Sequence, residues 1–478
     1  MSRTISSALA LLLLAAAAAQ GQTAPAPAPA PHIALCAACI RRHERYLASD
    51  ALRGRGSATR DELTAANYIA GLLRHYGVKP AGDGGGYLQH VRLVRRTIIG
   101  PPWLKFVATG RPPVYWRYGK EFIFLRMSGA AIAGPLQKID LAESDSSDED
   151  TEFESGAIVF LNAHGGNPKA AIAEAASAGA AAVLVSEYPE ARKNWPEHAA
   201  RFPRLPIQIE GVSDEGRSAS NLAAVSNEAV AALEDIPEGA QVSLRAPVST
   251  RIAYTRNVVG EIRGGDPSLA HSAILLSAHM DHLGVGAPVN GDNIYNGADD
   301  DASGTVAVLE LARVLGSGPR PRRTVIFALF GSEELGALGG TYFREHPPLP
   351  LKDIAANLEF EMIGRPDPAV AENTLWLTGW ERSNLGPVLA EHGARLVGDP
   401  HPEQNFFARS DNYALAQKGV VAQTVSSYGL HGDYHQPSDD VAHIDFSHMD
   451  EAIGSLLGPV EWLVNSDFRP EWKARERP

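Results

Sequence analysis

Histidines and carboxylates in this sequence gather where apolar runs end. The run AILLSA at residues 273–278 passes into His279 and Asp281. TVIFALF at 324–330 leads through Gly331 and Ser332 to the adjacent pair Glu333 and Glu334. NLEFEMI at 357–363 carries Glu359 and Glu361, and VVAQTV at 420–425 leads by a loop to Tyr428, His431, Tyr434, His435 and Asp439. Three consecutive aspartates, 299–301, precede an apolar-faced stretch with helical spacing. Imidazole and carboxylate together are donors that suit zinc and similar divalent ions. Several carboxylates close in space repel one another unless cations hold them. Two ions sharing one aspartate relieve that repulsion and can activate a water between them. Each residue alone has an ordinary alternative. A histidine after a strand is a polar loop residue, and acidic pairs are common at helix starts, where the helix dipole favours them. Their repeated placement at strand ends is what singles them out.

Such residues need a frame. From residue 257 onward the pattern predicts strands at 273–278, 324–330, 357–363, 374–379 and 420–425, with helices over 302–315 and 448–464. Strands alternating with helices predict an α/β fold: a mixed or parallel sheet in a three-layer α/β/α arrangement. Ligands of such sheets sit at the carboxyl ends of the strands. Nearer the N-terminus, Leu63, Ala66, Ile69, Leu72 and Leu73 recur at helical spacing and Gly77 ends the run. Between about residue 98 and residue 255 the texture changes to short β-rich pieces and prolines. Residues 156–189 read as strand, loop, alanine-rich helix, strand, and 205–209 as another strand. The acidic stretch ESDSSDED at 143–150 lacks the glycine and terminal glutamate of an EF-hand loop and reads as a solvated loop.

The chain has 478 residues, 44% of them hydrophobic, enough for more than one domain. Arg3, the apolar run at 8–19 and the small residues after it predict an export leader over 1–21. That run is short for a membrane span, and no later stretch is long and apolar enough for one. A stiff Pro/Ala linker is expected at 22–33. The expectation is an exported protein, periplasmic or secreted. Cys36 and Cys39, in CAAC after a proline-rich segment, lack the strand context of a redox motif and the further ligands of a zinc site. A small local disulfide is expected. Lys and Arg number 43 against 56 Asp and Glu, and the net charge of −13 argues against nucleic acid as a partner. Composition does not specify the oligomeric state.

As an ordered set, AHMDHLG, NGADDDASGTVAVLELAR, FALFGSEELGALGG, LEFEMIGRP, ARSDNYALAQKG and YHQPSDD resemble the co-catalytic di-zinc aminopeptidase family. That family includes secreted bacterial aminopeptidases and the glutamate carboxypeptidases. The segment RYLASDALRGRG at 45–56 also fits, and residues 156–189 resemble the protease-associated domain often inserted in these enzymes. The resemblance implies a catalytic domain built from 34–98 and 256–478 around a protease-associated insert at 99–255. It implies an exported zinc-dependent exopeptidase with two Zn2+ per chain, acting on peptides and most simply an aminopeptidase. Carried over by position, the metal ligands are His279, Asp300, Glu334, Glu361 and His435, with Asp300 shared by both ions. Glu361 stands where the family commonly has aspartate, and Glu359 competes with it from the same strand face. Glu333 becomes the general base for a water bridging the metals. Asp281 is expected to accept the free ring N–H of His279, and Asp439 to do likewise for His435. Tyr434 or Tyr428 would donate to the oxyanion, and Arg409 would contact substrate. His282 and His431 read as bystanders. The alternatives are glutamate carboxypeptidase-like or dipeptidase activity, for which Arg365, Arg382 and Arg409 would have to converge, and an inactive binding or receptor protein on the same fold.

Overall fold

Alternating side chains along a doubly covered strand must satisfy two apolar layers. In the computed structural model, Ile274, Leu276 and Ala278 enter one apolar cluster, while Ala273 and Leu275 enter another. The structure describes residues 33–141, 152–164, 166–186, 188, 191, 193–212 and 221–478. The expected leader at 1–21, the linker up to residue 32 and the acidic stretch at 143–150 lie outside the described residues.

The main sheet contains β1 (Leu88–Ile98), β2 (Gln208–Ile209), β3 (Val248–Ile262), β4 (Ala273–His279) and β5 (Val325–Phe330). It continues with β6 (Ile354–Phe360), β7 (Leu375–Leu377), β8 (Leu396–Gly398) and β9 (Val421–Ser426). The order is β8-β7-β9-β6-β4-β5-β3-β1-β2, with Lys79–Pro80 pairing off β3. The centre β9-β6-β4-β5 is parallel, and antiparallel pairs flank it on both sides. Four carboxyl ends therefore meet at one edge. Helices α1 (Ala37–Leu47), α2 (Arg60–His75) and α3 (Gly304–Ser317) pack on one face; α4 (Leu338–Glu345) and α5 (Asn412–Gln417) pack on the other; α6 (Phe446–Asn465) joins the first group. The predicted strand at 357–363 stops at Phe360, because Met362 turns into left-handed backbone with φ 52°.

The chain leaves this sheet along β1, touches it again at β2 and returns on β3; β1 and β3 pair antiparallel from Leu88↔Val258 to Ile98↔Val248. Between them lies an eight-stranded sheet. Its strands are Val114–Arg117, Trp103–Val107, Gln241–Arg245, Ala131–Asp140, Ile158–Asn162, Ala182–Val185, Asn221–Val225 and Phe122–Arg126, in spatial order. It closes over its own core of Phe106, Trp116, Phe122, Leu184 and Val242. Cys36 and Cys39 form a disulfide at the start of α1, S–S 2.10 Å. Among the described residues no helix is long and apolar enough to cross a membrane.

Candidate metal centre

The parallel strands deliver their following loops to one edge. His279 is the last residue of β4, Glu333 and Glu334 occupy the turn after β5, and Glu361 follows β6. His435 lies in the loop after β9, and Asp300 in the segment leading into α3. Ser332, Met362 and His435 have φ of 55°, 52° and 56°. Left-handed backbone is disfavoured for residues with a Cβ and persists where the surroundings impose it. Here it turns three of these loops toward a common point.

Asp300 occupies that point. Its Oδ1 is 3.1 Å from His279 Nε2, and its Oδ2 is 3.2 Å from His435 Nε2. Glu334 Oε2 is also 3.2 Å from His435 Nε2. Glu361 lines the same cavity and accepts a hydrogen bond from Ser410 Oγ. Burial alone would raise the Asp300 pKa. The imidazoles of His282, His279 and His435 outweigh burial and hold the carboxylate well below its usual range. Burial would lower His435, but Asp300 and Glu334 push it up to about 10. The side-chain nitrogens His279 Nε2 and His282 Nδ1 and the oxygen Glu334 Oε1 are buried, yet lack aligned hydrogen-bond partners. Buried polar atoms are normally satisfied. Donors aimed at shared points instead of at one another are what metal ligation requires, and this nitrogen and oxygen set fits zinc. His279 stands against Asp300 Oδ1, and His435 against Asp300 Oδ2 and Glu334.

The three aspartates divide the labour. Asp301 accepts the N–H groups of Gly304 at 2.9 Å, Met362 at 3.1 Å and His279 at 3.2 Å, tying three loops together. Asp299 accepts from Gly364 N–H at 2.7 Å and lies 2.9 Å from His431 Nε2. Only Asp300 faces both ligand groups.

Two expected roles are corrected. The Asp281 carboxylate does not serve the His279 ring: its Oδ1 is 3.8 Å from Nδ1, while the Asp281 carbonyl lies at 3.2 Å. That carboxylate accepts from Ser57 Oγ and from Glu333 N–H at 3.0 Å, so it fixes the main chain of the glutamate turn. Asp439 does not support His435. It accepts the N–H groups of Asp299 at 2.9 Å and Asp300 at 3.1 Å, and burial with Asp299 nearby pushes its pKa up to about 7. In both cases a main-chain donor lies closer than the ring. His282 and His431 are not bystanders either: His282 Nδ1 is 2.6 Å from Glu334 Oε1, and His431 faces Asp299 and Arg365.

Glu333 lines a partly open cleft with Asp300, Glu361, Arg409, Tyr428 and Tyr434. Burial, reinforced by Asp411, Glu361 and Glu334, raises its pKa well above the usual carboxylate range against the pull of His279. Trp376 and Phe406 form an apolar wall, stacked at 5.5 Å. Glu359 is fully buried with both oxygens unpartnered and does not line this cavity. Of the three arginines, only Arg409 lines it. Arg365 is engaged by Asp433 at 2.8 Å, and Arg382 lies over the Phe407 ring.

The resemblance covered residues 45–56 without assigning Arg55 a role. Its buried guanidinium donates to the carbonyls of Leu47, Met280, Asn296 and Gly297 at 2.6–2.8 Å, clamping the chain on both sides of the centre. Ser410 and His282 carried no sequence signal beyond their neighbourhood.

Residues 257–457 match the model of peptidase family M28. The chain is 27% identical over 340 residues to an aminopeptidase of Pseudomonas aeruginosa strain UCBPP-PA14, covering 64% of this chain and 59% of that one. It is 26% identical over 237 residues to a probable lipoprotein aminopeptidase of Mycobacterium tuberculosis, covering 42% and 44%. Both matches span less than two thirds of the relative's length. The arrangement of elements is similar to that of an aminopeptidase from Aneurinibacillus sp. strain AM-1, with TM-score 0.50, 18% identity and coverage of 90% of this chain and 94% of that one. At that identity the likeness concerns the fold.

Proposed function

We propose that the chain, whose residues 257–457 match the model of peptidase family M28, is a zinc-dependent aminopeptidase holding two ions. The observation that carries this reading is the Asp300 carboxylate, whose two oxygens face His279 and His435 separately in the wall of the cleft. His279, Asp300 and Glu361 would hold one ion, and His435, Asp300 and Glu334 the other. When bound, such ions supply Lewis acidity toward a peptide carbonyl and toward water.

The side chains do the rest. Asp281 holds the Glu333 main chain, so the Glu333 carboxylate keeps its place in the cavity wall. That carboxylate accepts the proton of the attacking water and returns it to the leaving amine as the C–N bond gives way to C–O. Burial raises its pKa above the usual carboxylate range, which strengthens it as a proton acceptor. Tyr434 and Tyr428 offer hydroxyls to the carbonyl oxygen, and Trp376 and Phe406 offer an apolar wall to a side chain. An arginine clamp for a substrate carboxylate is disfavoured, because Arg365 and Arg382 are engaged elsewhere.

We also read residues 1–21 as a removed leader, the chain as exported, and the second sheet as a protease-associated insert spanning 99–255. The N-terminal residue of protein recovered outside the cytoplasm tests the first two. Full peptide turnover in a protein lacking 99–255 would deny the insert a substrate role.

The deciding experiment is incubation of the purified, zinc-supplied protein with a peptide set, half of it N-acetylated, with products read by mass. Stepwise N-terminal loss from free-amine peptides alone is expected. C-terminal loss would move the reading to a carboxypeptidase, and absence of both bound metal and cleavage would favour a binding protein.

A further inference from the structure

We propose that His282 is a ligand of the ion held by His435 and Glu334, so that the centre contains three imidazoles and its two halves are unequal. This rests on the di-metal reading above. The His282 side chain is fully buried. Its Nδ1 lies 2.6 Å from Glu334 Oε1 and 3.7 Å from Asp300 Oδ2, and its ring meets that of His435 edge-on at 5.6 Å. Ligand atoms of His282, Asp300 and Glu334 all lie within 4.8 Å of one another. Among the described residues neither ring nitrogen has an aligned hydrogen-bond partner, and Glu334 Oε1 has none. The short Nδ1–Oε1 approach is therefore not an aligned hydrogen bond; it is two metal-ligating atoms, each with a lone pair, facing one space.

The ring is also held there by construction. A Cβ at Gly297 would fall 2.4 Å from His282 Cγ, and Gly297 has φ 60°, so the position admits glycine and the imidazole packs flush against it. His282 N–H donates to the Arg55 carbonyl at 3.3 Å. The Arg55 guanidinium in turn grips the carbonyls of Met280, Asn296 and Gly297. A residue packed this tightly, with its nitrogens idle, is poised for an ion.

The consequence is asymmetry. One half offers His279, Asp300 Oδ1 and Glu361; the other offers His435, His282, Asp300 Oδ2 and Glu334. The extra imidazole strengthens binding of zinc-like ions in the second half. That half fills first and keeps its ion longer on dialysis.

The test titrates metal-free full-length protein with Zn2+ and Co2+ by calorimetry, comparing wild type with His282→Gln. Two successive events are expected in wild type. In the variant the tighter event weakens by more than the roughly 100-fold that loss of an outer support causes, while the weaker event is unchanged. Glutamine can still hydrogen-bond Glu334, so a merely supporting role predicts a weakening of at most about 100-fold in the variant, and that result overturns the proposal. An independent readout needs no variant: Co2+-loaded wild type should show three hyperfine-shifted imidazole N–H signals in NMR, and two signals overturn the proposal. A wild type that binds neither ion fails differently, because it removes the di-metal reading itself.

Discussion

The two large sheets of this chain differ in what they bury. Around the main sheet, Glu44, Arg55, Glu62, His279, Asp281, His282, Asp299, Asp300, Asp301, Glu359, Asp411 and Asp439 are all buried. In the sheet between β1 and β3, the buried polar side chains among the described residues are Gln137, Ser186 and Asn221, all uncharged. Burying a charge is unfavourable unless partners compensate it. The inserted sheet avoids the problem with an ordinary apolar core. The main sheet accepts it at one edge and surrounds the charges with main-chain donors, as Asp301 and Asp439 illustrate. The difference teaches that location of buried charge, more than fold size or pocket shape, marks where chemistry resides.

The contrast can be broken most directly at Asp300. Asp300→Ala should lose both ions and all measurable turnover; elemental analysis that still finds two ions would end the shared-ligand assignment. Glu333→Gln should keep both ions and lose about 10²–10⁴-fold in kcat, measured by peptide hydrolysis at matched metal content. Asp439→Asn should weaken metal binding by roughly 10–100-fold, the range for an outer support, as read by competition with a chelator. On the other side of the comparison, Phe122→Ala in the inserted sheet should destabilise that core by about 3–5 kcal/mol in denaturant unfolding, with kcat of the folded enzyme unchanged. A fall in kcat there would couple the two sheets functionally.

The smallest effect concerns pH. His43 is buried between Tyr68 and Tyr76, its ring nitrogens 2.7 Å and 3.0 Å from their hydroxyls. Burial, aided by Arg42, lowers its pKa from 6.5 to about 4. The folded state keeps this ring neutral while the unfolded chain protonates it near 6.5. Its contribution is therefore full above pH 6.5 and fades as pH falls toward 4. Melting temperature across that window should fall less steeply in His43→Gln than in wild type.

The sequence was most legible where local spacing and chain order carry the information. Strands at 273–278 and 324–330 and the helix at 448–464 appear with ends shifted by a few residues. The family resemblance, not spacing, points to the middle aspartate of 299–301, whose carboxylate lies near His279, His282 and His435. Legibility failed for partners. Spacing pairs Asp281 with the ring two residues away, but the structure gives its carboxylate to Ser57 and to Glu333, 52 residues on. Nothing in the neighbours of His282 indicates where a loop histidine will point, so the sequence reads it as a bystander.

Periodicity and order along the chain specified an α/β sheet, its strand ends and the residue types gathered there, because apolar spacing and turn residues act locally. Tertiary structure decided which oxygen meets which nitrogen. Those choices depend on how loops after separate strands turn, on left-handed residues such as Ser332 and His435, and on Arg55 gripping segments more than 200 residues away. No spacing rule encodes such distances, because they arise only once the sheet has brought its edges together.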